Sequence, residues 1–159
     1  MATSKQSQGG GMIVLTIIVS LVLMMIPMPA AMLYFRPEFV LLTLIYWAMA
    51  TPQRLGIGMA WFTGLLMDVL MGGGLGIMAF AYALVIYLVL QFHLQLRQYP
   101  VWQQGLYIFS FVLLLHIILV LASPRLINWS FWYPALSSML IWPVIFRILK
   151  KLRRTFHVR

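Results

Sequence analysis

The chain has 159 residues, of which 64% are hydrophobic and only 8% charged. A soluble domain carries about 25% charged residues, so this chain lacks the polar surface to cover a globule in water, and its long apolar runs point to a bilayer as solvent. The absence of cysteine excludes disulfide frameworks, thiol nucleophiles and thiolate metal sites.

Residues 1–11 are polar and glycine-rich with Lys5 as their one charge, and read as a mobile cytoplasmic tail. The first apolar run covers 12–26 and stops at Pro27 and Pro29. It is short against the roughly 20 residues of a perpendicular span, so extension toward Phe35 or thinned lipid is expected. With Ala30 and Ala31 behind it, the run also has the outline of a cleavable signal peptide, but further spans follow and a retained helix is the better reading. The second run starts at Arg36-Pro37-Glu38, with Pro37 suited to a first helical turn and Glu38 to the positive end of the helix dipole. It ends near Ala50, before Thr51-Pro52-Gln53-Arg54. The third run is 56–71, closed by Gly72-Gly73-Gly74, which with Leu75-Gly76 reads as an outer turn. The second and third runs make either two tilted spans or one re-entrant hairpin within 38–71, and two spans are favoured because the turn between them is polar. The fourth run is 75–94, the fifth 101–122, and the sixth 130–149 with Pro143 inside it.

The expected fold is therefore all-α: a polytopic integral membrane protein of about six transmembrane helices, 12–149, with a basic cytoplasmic tail at 150–159. Six of the eleven basic residues crowd into the last thirteen positions. With both ends in the cytoplasm, nine of the eleven (Lys5, Arg54, Arg97 and the six tail residues) lie inside, and only Arg36 and Arg125 outside. That is a clear positive-inside bias, and it argues against nucleic acid as the reason for the net charge of +9. Tyr34, Tyr99, Trp102, Trp129, Trp132 and Tyr133 fall near expected helix ends, where aromatic belts form.

Chemistry has few residues to rest on. Glu38 and Asp68 are the two carboxylates of the chain. Glu38 reads as a helix-end charge at the water boundary beside Arg36, at a different depth from Asp68. Asp68 lies inside the third run, and an ionisable residue at membrane depth is a functional-site hypothesis by default. Gly56, Ala60, Gly64, Asp68 and Gly72 recur every four residues on one face, the spacing that lets another helix approach closely. That face is expected to be an internal packing seam, with a partner contact or a ligand or proton-relay role for Asp68 as the alternatives. His93 and His116 are too few for a metal site, and the Gly72–Gly76 stretch lacks the P-loop Lys and Ser/Thr. No catalytic, metal or cofactor site is expected. In the tail, Arg147, Lys150, Lys151, Arg153 and Arg154 surround Leu149, Leu152 and Phe156, suited to anionic headgroups or a cytoplasmic partner.

Taken in order, Arg36-Pro37-Glu38, Tyr46-Trp47, Pro52-Gln53-Arg54, Gly64-Leu65-Leu66-Met67-Asp68, Leu75-Gly76, Trp102-Gln103-Gln104 and Trp142-Pro143 resemble the rod shape-determining protein MreD family, in its gammaproteobacterial form. The resemblance marks Arg36, Pro37, Glu38, Pro52, Asp68 and Gly76 as family-motif positions. It implies a non-enzymatic component of the cell-elongation complex in the bacterial inner membrane, with MreC, MreB, RodA and a penicillin-binding transpeptidase as partners, and membrane lipids around it. A homo-oligomer is compatible with this. The competing reading is a membrane-embedded small-ligand-binding or transport subunit, because the family looks similar in fold to vitamin-binding importer subunits.

Overall fold

The computed structural model describes residues 8–123, 130 and 132–158. Lys5, Arg125, Trp129 and Arg159 lie outside the described residues, as does most of the expected amino-terminal tail. Every regular element described is an α-helix: α1 (Gln8–Met25), α2 (Ala30–Leu33), α3 (Phe39–Ala50), α4 (Ile57–Met71), α5 (Ile77–Gln98), α6 (Val101–Ala122) and α7 (Trp132–Thr155). α5, α6 and α7 are long and apolar enough to cross a bilayer, while α1, α3 and α4 are shorter apolar helices. The chain is thus a helical bundle of polytopic membrane type.

The bundle is organised around α3. This 12-residue helix is only about 18 Å long, well short of a roughly 30 Å hydrocarbon core. All ten residues from Val40 to Met49 are buried, as expected of a helix that is apolar on every side. α1, α5 and α7 pack around it. A short helix is tolerated here because protein surrounds it and satisfies its ends. The Glu38 N–H donates to Ser138 Oγ (3.1 Å), and the Thr51 N–H donates to the Trp47 carbonyl (2.7 Å). The Trp47 indole donates to Thr16 Oγ1 (2.8 Å), tying α3 to α1. Residues 38–71 form two separate helices that pack chiefly on other elements: α4 lies along α5, and α3 lies among α1, α5 and α7.

Several boundaries differ from expectation. Helix α1 begins at Gln8 and not at Met12, so residues 8–11 are helical although glycine is a poor helix former. Gly9 packs directly beneath the Arg54 guanidinium and Val158, where a Cβ would collide. The first run does not continue to Phe35; α1 ends at Met25, and Ala30–Leu33 forms a separate single turn, a seventh helix. Pro37 lies before α3, whose N-cap is Glu38. Helix α7 carries Pro143 inside it and continues through Leu149 into the basic segment. It ends at a left-handed His157 (φ 49°). There the Val158 N–H bonds the Arg153 carbonyl (3.1 Å) and the His157 N–H the Arg154 carbonyl (3.4 Å), a Schellman closure. The turn folds Val158 back into burial.

Hydroxyls within the helices bond their own backbone, as with Thr43 to Phe39, Thr63 to Met59 and Ser110 to Leu106. The outer faces are apolar: Val14, Ile18 and Val22 on α1, Phe62 and Val69 on α4, and Leu106 and Leu121 on α6 are exposed. Tyr34, Tyr99, Trp102, Trp132 and Tyr133 are also exposed, each at or near a helix end.

Candidate functional site: two polar ends of an apolar bundle

Polar side chains gather at two opposite ends of the helices. At the first end α4 turns into α5. Gly72 adopts φ 66° and Gly76 φ 94°, left-handed conformations that glycine adopts without steric cost. The turn returns the chain so that the Asp68 carboxylate meets the start of α5. Oδ2 accepts from the Gly76 N–H (2.8 Å) and the Ala79 N–H (3.3 Å), and Oδ1 from the Met78 N–H (3.0 Å). Gly76, the N-cap of α5, has no side chain to offer, so Asp68 supplies the cap from the preceding helix. Three N–H donors and the positive end of the α5 dipole compensate a carboxylate that is 2% exposed.

Of the small-residue face, Ala60, Gly64 and Asp68 are buried, and Gly56 and Gly72 stand exposed at the helix ends. A Cβ on Gly64 would lie 2.6 Å from Ala79 Cα and from the Met78 carbonyl oxygen. The α4 and α5 backbones therefore touch, and the seam is internal to this chain.

Glu38 is not at a water boundary. It is buried among α3, α6 and α7, with Oε1 3.8 Å from His116 Nε2. His116 Nδ1 donates to the Val112 carbonyl (2.9 Å), which fixes that nitrogen as the protonated one. Nε2 thus faces the carboxylate. Tyr82, one turn beyond Ala79 on α5, is also buried. Glu38 Oε2, the Tyr82 hydroxyl and two nitrogens of Arg36 are buried without a hydrogen-bond partner among the described residues. Of the positions expected to carry the family motif, Arg36, Pro37 and Glu38 precede α3, and Asp68 and Gly76 meet where α4 turns into α5. Pro52 lies at the other end, in the turn closed by the Arg54 and Leu55 N–H groups on the Thr51 carbonyl.

The second end is basic. Arg54 packs on Gly9 beside Val158, and Arg153 Nε donates to the Val158 carbonyl (3.3 Å). Lys150 Nζ lies 5.6 Å from the centre of the Phe146 ring. Buried Gln104 fastens three helices. Its amide nitrogen donates to the Leu96 (2.9 Å) and Tyr99 (3.2 Å) carbonyls at the end of α5, and its oxygen accepts from the Trp142 indole of α7 (3.3 Å). The sequence reading did not single out Gln104 as functional; a glutamine one turn inside an apolar run was the available signal. Arg147, Lys151 and Arg154 are exposed on the same stretch of α7.

No group of three or more metal-ligating side chains occurs among the described residues. His93 sits apart, its Nδ1 bonded to the Leu90 carbonyl.

Comparison with known proteins places this architecture. No solved structure matches. The chain is 29% identical over 141 residues to the rod shape-determining protein MreD of Haemophilus influenzae, covering 86% of this chain and 87% of that protein. The family described as rod shape-determining protein MreD matches residues 5–152. With nearly the whole bundle covered, the chain belongs to the MreD family of rod shape-determining proteins.

Proposed function

We propose that this chain is a non-enzymatic, multi-pass component of the bacterial inner membrane that helps hold the cell-elongation complex together. In this reading it meets MreC within the membrane and helps couple MreB filaments to RodA and its penicillin-binding transpeptidase. The carrying observation is the family match over residues 5–152, on an apolar bundle whose charged side chains lie at or near the helix ends. The Lys and Arg count supports a cytoplasmic position for the basic end and both termini, with the Asp68–Glu38 end then facing outward. The apolar faces of α1, α4 and α6 are the surfaces on which lipid and partner helices would lie. The cavity of about 370 Å³ between α1, α3 and α7 is lined almost wholly by apolar side chains, and its three hydroxyls, on Thr16, Ser20 and Thr43, already bond the backbone. It therefore offers a water-soluble substrate little recognition, which favours the adaptor reading over a transport subunit.

Depletion of the protein tests this directly. Rod-shaped cells are expected to round into spheres, with recovery on re-expression. Normal rods after confirmed depletion would overturn the proposal.

A further inference from the structure

At the basic end, the C-terminal parts of α3, α5 and α7 and the first turn of α6 enclose a pocket of about 120 Å³. Tyr46, Arg97, Gln104, Lys150 and Arg153 supply its polar lining, with Phe146 as an apolar wall. Tyr46 of α3 and Arg153 of α7 line it together. Three cations thus line one small cavity. The chain has two side-chain carboxylates, and both are held at the opposite end. Asp68 caps the start of α5, about 27 Å along that helix from Arg97, and Glu38 pairs with His116. Neither can serve as counter-ion here. The terminal carbonyls of α5 would repel an anion, but the Gln104 amide already donates to two of them, at Leu96 and Tyr99. What remains directed into the cavity is donor-rich and positive.

We propose that this pocket binds the phosphate group of an anionic phospholipid headgroup. The lipid, and not a soluble phosphate compound, is favoured by position. Exposed Leu94, Tyr99 and Trp102 lie within three residues of the lining residues Arg97 and Gln104 at the α5–α6 corner, the mixture of apolar and aromatic side chains found at headgroup level. Basic pockets between transmembrane helices on the cytoplasmic side are suited to such headgroups.

The test uses the purified full chain in neutral detergent, titrated with phosphatidylglycerol or phosphatidylcholine and read by native mass spectrometry. Phosphatidylglycerol is expected to be retained at least tenfold better than phosphatidylcholine. The R97Q/K150Q variant changes two exposed side chains and leaves the Arg153–Val158 contact in place; it should lower phosphatidylglycerol retention at least fivefold. R147Q/K151Q removes the same two charges from exposed positions outside the pocket and should lower it no more than twofold. R97K/K150R should keep retention within twofold of the parent, which separates loss of charge from loss of structure. Equal losses in the two glutamine pairs, or equal retention of the two lipids, would overturn the pocket. Complete displacement of phosphatidylglycerol by millimolar inorganic phosphate would overturn the lipid as its occupant.

Discussion

The two ends of this bundle handle charge in opposite ways. At the Asp68 end, carboxylates are buried inside the chain: Asp68 accepts from three backbone N–H groups, and one Glu38 oxygen lies 3.8 Å from His116 Nε2. At the Arg153 end, cations stand in excess around a shared pocket, with no side-chain carboxylate near them. A buried charge without compensation is costly in an apolar interior, so the first end needs internal partners. The second end can leave its cations to water and headgroups. The first is therefore a structural joint, sensitive to single-atom changes, and the second an electrostatic surface, sensitive to the sum of its charges.

Substitutions can break or sharpen that contrast. The largest effect is expected from Gly64→Leu, which forces a side chain into the Met78–Ala79 backbone. Overpacking of that kind costs about 3 kcal/mol, and thermal unfolding in detergent should show a markedly lowered midpoint with loss of the α4–α5 pairing. Asp68→Ala follows at about 2 kcal/mol, since it leaves buried N–H donors without an acceptor. Asp68→Asn, which keeps one acceptor oxygen, should recover part of that loss. An Asp68→Ala protein as stable as the parent would remove the cap from the account. At the other end, Gln104→Leu severs bonds to α5 and α7 and should cost about 1.5 kcal/mol, with faster hydrogen exchange at the end of α5. The smallest effect is a coupling energy of about 1 kcal/mol between Glu38→Gln and His116→Gln in a double-mutant cycle of unfolding. Strict additivity would mean that the 3.8 Å approach carries no interaction.

How far these ends could be read in advance depended on the range of the interactions involved. Helix α6 coincides with the apolar run 101–122 because Pro100 and the polar Ser123 bound it locally. The turn after Asp68 was legible from its glycines; Gly64 and Asp68, four residues apart, both meet the start of α5. The partner across their common face was not legible, since it is the next helix of the same chain. Glu38 was misplaced for a related reason. Arg36-Pro37-Glu38 has the local grammar of a helix start in water, yet its burial is set by Ser138, one hundred positions away, and by His116. The helical start at Gln8 likewise brings Gly9 against the distant Arg54 and Val158, and glycine's weak helix propensity gave no sign of it. The basic pocket draws on four helices, so its charges were visible in the sequence while their convergence was not.

The central claim is that the basic end lies in the cytoplasm and the Asp68 end outside. Because the chain contains no cysteine, single cysteines introduced by Gly73→Cys, in the α4–α5 turn, and Lys151→Cys, on the exposed face of α7, report each end separately. In intact spheroplasts a membrane-impermeant maleimide should label the Gly73→Cys protein and leave the Lys151→Cys protein unlabelled until the membrane is opened. Labelling of Lys151→Cys in sealed spheroplasts, with Gly73→Cys protected, would contradict the account.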